Sequence, residues 1–466
     1  MPLVILFLFI FTSPLSAAEW IRLRSENFEL LTTADQAQGQ QLLQQFEQVA
    51  NFFQELNQTP STSSIPLRIV AFSNEQEFAP FRAHQGASAF FDTAPDADYI
   101  VLSGTSKNLY STALHEYVHL LIRRSHKVLP LWLEEGFADL FSTLKAVGNR
   151  TQIGGIPPGR NPDLLRQEML SLRVLISADR NSPLYTENNR IGMFYNESWA
   201  LTHMLRLSDT FRSGFESFFN LMLSGHNTEE ALQGAYGRNL SQIELDLHTY
   251  LVKGRLRLVL VPIKLKKATA LPTKLDDVDY TVRLTLANLT RRTDPALAMR
   301  QLEQLSKENP SRPEPIASLG YLNAVTDPKK AMDAMSQAIE MGYRNPRLFK
   351  DFAALQLASG NLAKYVTAAR RQLELEPEDM EQRQRIAAVL YQMTDYAQAL
   401  VELQKVKSPP PELAARQYLG IAYCAIQLND WPLAKKALED LRKVSRTAEE
   451  NAAVNKIAQA IEIGNR

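Results

Sequence analysis

Apolar positions along the chain fall into regimes with different periods. Between Trp20 and Leu102 they come as short alternating or continuous blocks, Trp20-Ile-Arg-Leu-Arg24, Asn27-Phe-Glu-Leu-Leu31, Pro66-Leu-Arg-Ile-Val-Ala-Phe72 and Tyr99-Ile-Val-Leu102, each of strand length. Between Gln36 and Leu56 the period is helical, and from 105 to about 255 it is helical almost throughout. The expectation is an α+β domain over 19–255, with an α/β layer at 19–106 and a helical part at 107–255. The character changes at Leu256-Arg-Leu-Val-Leu-Val-Pro262, which is followed by Lys264, Lys266, Lys267, Pro272 and Lys274. This stretch, 256–275, reads as a linker.

Beyond it the helical period carries a second, longer one. A turn residue followed by a bulky residue or Pro, then a small residue on the next helix, recurs as Asp294-Pro-Ala-Leu-Ala298, Asp327-Pro-Lys-Lys-Ala331, Asn361-Leu-Ala-Lys-Tyr365, Asp395-Tyr-Ala-Gln-Ala399 and Asp430-Trp-Pro-Leu-Ala434. The steps are 33, 34, 34 and 35 residues. Tyr365 breaks the small-residue rule. The pattern, with Leu419-Gly-Ile-Ala-Tyr423, resembles tetratricopeptide (TPR) repeats, whose unit is a 34-residue helix-turn-helix. The resemblance covers 276–466 and implies an all-α TPR-like solenoid with a concave surface for a protein partner.

The densest chemistry lies between these regions. In His115-Glu-Tyr-Val-His119 two imidazoles four residues apart share one side of a helix, so both can reach one Zn2+ while Glu116 lies between them. Tyr110, Ala113, Leu114, Tyr117, Val118 and Leu121 form the apolar stripe of that helix, and Ser106 is placed to cap it. A hydrolytic zinc needs three protein ligands, and Glu135 in Leu131-Trp-Leu-Glu-Glu-Gly-Phe-Ala-Asp139 supplies the third. The two segments resemble the gluzincin metallopeptidases, and more narrowly the peptidase MA-like domains of exported bacterial proteins.

That resemblance implies His115, His119 and Glu135 as ligands and Glu116 as general base. Glu134 takes a position that is Asn in aminopeptidases and falls outside the ligand set. Asp139 is implied as the partner of the His115 ring, and Tyr195, in Phe194-Tyr-Asn-Glu-Ser-Trp-Ala-Leu201, as the hydroxyl donor to the oxyanion. His203 is a weaker alternative to it. No Gly-Ala-Met-Glu-Asn segment is present to grip a free amino terminus, which points away from an aminopeptidase. An extended peptide would add to a sheet edge, with Gly86-Ala-Ser-Ala-Phe90 and Tyr99-Ile-Val-Leu102 as the two candidates.

Composition narrows the setting. At 466 residues, 45% hydrophobic and 22% charged, the chain has room for two or three cores. Its 51 basic and 51 acidic residues leave no net field for nucleic acid or an anionic membrane. Residues 1–18, a short apolar run ending in small residues, read as a signal peptide, so the protein is expected to be exported to a bacterial periplasm or secreted. Cys424 is the only cysteine, so no internal disulfide can form. Two function classes remain open: a zinc metallopeptidase whose repeats bind a substrate or partner, and a repeat scaffold with a silent peptidase-like domain. Hydrolysis of a substrate other than a peptide is a third.

Overall fold

The structure is a computed structural model, and it describes residues 19–57, 65–82, 87–105, 107–124, 129–147, 150–161, 169–186, 188–253, 256–262, 271–272, 278–407, 409, 411–445 and 447–464. The expected signal peptide, the cap Ser106 and Gly86 lie outside these residues.

Strand alternation sorts the apolar residues of the first hundred positions onto two faces of one sheet. Its strands are β1 (Ile21–Arg24), β2 (Glu29–Thr32), β3 (Leu67–Ala71), β4 (Ala89–Thr93), β5 (Asp98–Leu102) and the short β9 (Leu271–Pro272), in the order β4-β5-β3-β2-β1-β9. β2, β3 and β5 are parallel, while β1 and β4 run antiparallel to their neighbours. Leu30, Ile69, Ala71, Ile100 and Leu102 point to one face. There they meet Leu42, Leu43 and Phe46 of helix Gln36–Asn57 and Ala113, Leu114 and Tyr117 of helix Lys107–Arg124. β4 is an edge and Tyr99–Leu102 is interior, between β4 and β3. Of the two strands weighed for peptide addition, only the β4 segment has a side with no strand partner among the described residues.

The opposite face carries Leu31, Val70, Phe72, Tyr99 and Val101, and what covers it is the first helix of the repeat region. Val278 and Val282 of helix Val278–Thr290 pack with Leu31, and Leu289 packs with Val70, Phe72, Tyr99 and Val101. The repeats are therefore a layer of the N-terminal domain and not an appendage on a linker. Of the stretch expected as linker, 256–275, the residues 263–270 and 273–275 lie outside the described ones, and the rest includes two short strands. Its alternating Val259–Val261 forms β8, paired with β7 (Arg150–Ile153) beside β6 (Lys145–Val147), and Leu271–Pro272 pairs with β1. A β-branched apolar run with strand partners to hand favours pairing over a flexible tether.

The repeat region is a TPR-like helical solenoid of paired helices running from Val278 to Gly464. Its period has a local cause. Asp294, Asp327, Asp395 and Asp430 each cap a second helix, accepting the backbone N–H three residues on, and Ala298, Ala331, Ala399 and Ala434 are fully buried where the paired helices touch. Tyr365 is buried as well, so its larger ring packs inside the array. A Cβ on Gly420 would lie 2.9 Å from the Leu403 side chain, which explains a glycine at that crossing.

Candidate metal centre

Three helices build the site. Helix Lys107–Arg124, the histidine helix, buries its apolar stripe on the sheet and carries His115 and His119 along the stripe's edge. Helix Leu131–Ser142, the glutamate helix, is buried on most of its surface and presents Glu135 and Asp139. Helix Asn188–Leu207 packs across the glutamate helix and carries Tyr195. The second crossing is tight at Gly136, where an added Cβ would meet the Thr202 side chain and lie 2.5 Å from the Ser198 carbonyl oxygen. Glycine after Glu135 is therefore a packing requirement that fixes the height of the Glu135 carboxylate.

Three atoms converge. His115 Nε2 and His119 Nε2 are 3.0 Å apart, and each is 3.2 Å from Glu135 Oε2. The outer nitrogens set the tautomers. His115 Nδ1 faces Asp139 Oδ1 at 2.9 Å and His119 Nδ1 faces Glu134 Oε1 at 3.2 Å. A carboxylate only accepts, so each Nδ1 donates and each Nε2 turns its lone pair to the centre. Two imidazole lone pairs and a carboxylate oxygen then face one another, an arrangement that calls for positive charge. Ligand atoms about 2.0–2.1 Å from a tetrahedral Zn2+ stand about 3.3–3.4 Å apart, close to the triangle seen. The donor set fits zinc.

The same demand shows in the titration of the side chains. Burial disfavours the His115 imidazolium, but Asp139 and Glu135 outweigh it and bring the group up to about 10. For His119 burial is likewise outweighed, by Glu134 and Glu135, to about 9. Burial would raise Glu135, yet hydrogen bonds and charge from the two imidazoles hold it well below the usual carboxylate range.

Each of the two imidazoles is backed by a carboxylate that is itself held by an arginine. Arg160 donates from Nε to Asp139 Oδ2 at 2.5 Å and from Nη2 to Oδ1 at 3.0 Å, while Arg180 Nη2 donates to Glu134 Oε2 at 3.0 Å. Arg160 also lies over the Tyr195 ring at 4.6 Å, and that ring stands edge-on to His115 with centroids 6.3 Å apart. One guanidinium thus fixes the partner of His115 and the ring of Tyr195. Glu116 is half-buried on the histidine helix, one residue after His115 and three before His119.

Of the residues that sequence reasoning assembled, His115, His119, Glu135, Asp139 and Tyr195 lie together in the structure, and Glu116 shares the histidine helix with the first two. Tyr195 lies seven residues into its helix, which begins at Asn188. His203 lies elsewhere. It is fully buried, donates from Nε2 to the Gly154 carbonyl at 3.1 Å and accepts from the Tyr250 hydroxyl at 2.7 Å, and burial takes its pKa down to about 4. It is a neutral core residue. Arg160, Arg180 and the role of Glu134 were missed, since 21 and 46 residues separate the arginines from their carboxylates. The only local hint is the turn Pro157-Pro-Gly-Arg160, with Gly159 at φ +80°.

No family model matches the chain, and no curated protein matches it. Among solved structures it is similar to MamA, at 15% identity over 38% of this chain and 94% of that one, with a TM-score of 0.30. It is also similar to YrrB, described as a TPR protein with an unusual peptide-binding site, at 16% identity over 37% and 90%, with a TM-score of 0.32. PilF of Pseudomonas aeruginosa matches at 16% identity over 40% and 86%, with a TM-score of 0.29.

Proposed function

We propose that this protein is an exported zinc-dependent hydrolase of peptide bonds whose repeat array binds a substrate or partner protein. The observation that carries the reading is the triangle of His115 Nε2, His119 Nε2 and Glu135 Oε2, with edges of 3.0–3.2 Å and a carboxylate behind each imidazole. Zn2+ in such a site supplies Lewis acidity that activates water and polarises a carbonyl near neutral pH.

The chain's own residues supply the rest. The Glu116 carboxylate accepts a proton from the attacking water and returns it to the leaving amine, so it ends as it began. The Tyr195 hydroxyl donates to the oxygen on which negative charge develops, a contribution of roughly 3–4 kcal/mol to the barrier for one well-placed donor. Asp139 and Glu134 hold the imidazoles in the tautomer that leaves Nε2 free, and Arg160 and Arg180 hold those carboxylates in place. The outer side of β4 is the edge where an extended peptide can add as a strand.

The test is zinc content and peptide hydrolysis in parallel. Wild-type protein is expected to hold one equivalent of zinc and cut a peptide library; His115→Ala loses both, and Glu116→Gln keeps the metal and loses cleavage. The TPR-like solenoid favours a second reading, an interaction scaffold with a silent peptidase-like domain. Zinc bound at one equivalent with no peptide cut, alone or with captured partners, would select it. Wild-type protein without zinc would refute the enzyme reading.

A further inference from the structure

The repeat array and the histidine helix meet at one side chain. Asp98, at the first residue of β5, is 3% exposed, and its backbone is fixed in the sheet by an N–H donated to the Pro66 carbonyl at 2.9 Å. Its two carboxylate oxygens go in opposite directions. Oδ2 accepts from Arg124 Nη2 at 2.8 Å and Nε at 3.3 Å, and Arg124 is the last residue of the histidine helix. Oδ1 accepts from Arg347 Nη2 at 2.7 Å, and Arg347 stands in the first turn of array helix Pro346–Ala358.

The bridge sits inside a larger grip. The β4–β5 turn, Asp92 to Asp98, offers its carbonyls and carboxylates to side chains of two array helices, of Arg291 just after the first and of the segment before the second. Arg291 Nη2 donates to the Thr93 carbonyl at 2.6 Å and Nη1 pairs with Asp92 Oδ2 at 2.9 Å. Asn288 Nδ2 donates to Asp96 Oδ1 at 2.9 Å, Asn345 Nδ2 to the Pro95 carbonyl at 2.9 Å, and Arg347 also to the Ala94 carbonyl. This part of the array holds a turn of its own chain, as a peptide groove would hold a ligand.

We propose that Arg347 is a positioning residue for the metal centre, acting through Asp98 and Arg124 on the histidine helix. The proposal rests on the metal-site reading above. His119 lies five residues before Arg124, about 7.5 Å along the helix axis at 1.5 Å per residue, so a shift or fraying of the last turns reaches a ligand within one and a half turns. Asp98 is buried and anchored at the start of an interior strand, paired on both sides, so it transmits displacement instead of absorbing it. A partner that moves helix Pro346–Ala358 would thereby alter the centre without touching it.

The experiment uses the full chain and two readouts. Backbone hydrogen exchange over 115–124 is compared in wild type, Arg347→Met, Arg347→Lys and, as a control three residues away that makes no contact with Asp98, Arg344→Met, whose ion pair with Glu374 is exposed. Zinc affinity is measured by competition with a chromophoric chelator. Arg347→Met is expected to speed exchange in the last two turns of the histidine helix and to weaken zinc binding about tenfold, the lower end for loss of an orienting partner. Arg347→Lys is expected to recover part of both, and Arg344→Met neither to speed exchange nor to weaken zinc. Unchanged exchange over 115–124 in Arg347→Met, with protection lost only in the array and the β4–β5 turn, overturns the proposal by reducing the contact to docking. If wild-type protein binds no zinc, the metal reading falls while the exchange data still decide whether Arg347 positions the helix.

Discussion

Removing the carboxylate behind His115 tests the centre most directly. Asp139 is 2% exposed, accepts from His115 Nδ1 at 2.9 Å and holds Arg160 through two further hydrogen bonds. Asp139→Ala removes all three. Loss of an outer carboxylate typically weakens a metal site about 10- to 100-fold, or about 1.4–2.8 kcal/mol at about 1.4 kcal/mol per decade. A hydrogen bond to a charged group is worth about 1.5–3 kcal/mol, which gives the same range independently. The burial of Asp139 and the release of Arg160 from the Tyr195 ring place Asp139→Ala at the upper end. Asp139→Asn keeps one acceptor for His115 and belongs nearer tenfold. Glu134→Gln, at a carboxylate with 17% of its side chain exposed, is expected to cost less than either. Zinc affinity by chelator competition at fixed pH reads all three, with circular dichroism as the check on folding. A folded Asp139→Ala protein within about twofold of wild-type affinity would refute the assignment of Asp139 as the orienting partner.

Other consequences follow from the same packing. Gly136→Ala forces the glutamate helix away from Ser198 and Thr202; a loss of about 1–3 kcal/mol in denaturant titrations and weaker zinc binding are expected, because Glu135 moves with the helix. Glu197 is wholly buried on the Tyr195 helix, accepts from the Leu170 N–H at 2.8 Å, and is pushed up to about 8, mainly by burial and further by nearby Glu244. It is neutral in the fold while the unfolded chain ionises, so its contribution is full below about 4.5 and stability falls as pH rises from there to about 8. Glu197→Gln should therefore gain on wild type at pH 8 and not at pH 4.5 in urea titrations, and equal behaviour at both would count against the burial argument. Asp327→Ala removes the cap that accepts from the Lys330 N–H and is expected to cost about 1 kcal/mol in the same measurement.

How much of this was legible in the sequence depends on how local the cause is. His115, His119 and Glu116 were readable because one helical turn sets their relation, and the array's period was readable because an Asp cap and a buried Ala mark four of the five recurrences. Glu135 and Asp139 needed only the return of a second helix. Arg160 and Arg180 reach their carboxylates by tertiary approach alone, and no spacing rule announces that. The cover on the second sheet face was hidden for the same reason. Val278, Val282 and Leu289 have the period of any amphipathic helix, and only the exposed face of Leu31, Val70 and Val101 says where that helix belongs.

That cover fixes an order of events in folding. β1 stays at the margin of its sheet until Leu271 and Pro272 pair with it, and Leu31, Val70 and Tyr99 have only part of their cover, from Trp20, Phe78 and Phe81, until residues 278–290 dock. A chain released stepwise from its amino terminus must keep this face partly exposed while nearly two hundred further residues emerge. Cutting the gene at the apparent domain boundary near 255 would make that waiting state permanent. The fragment would aggregate or need a chaperone, although it contains every proposed zinc ligand.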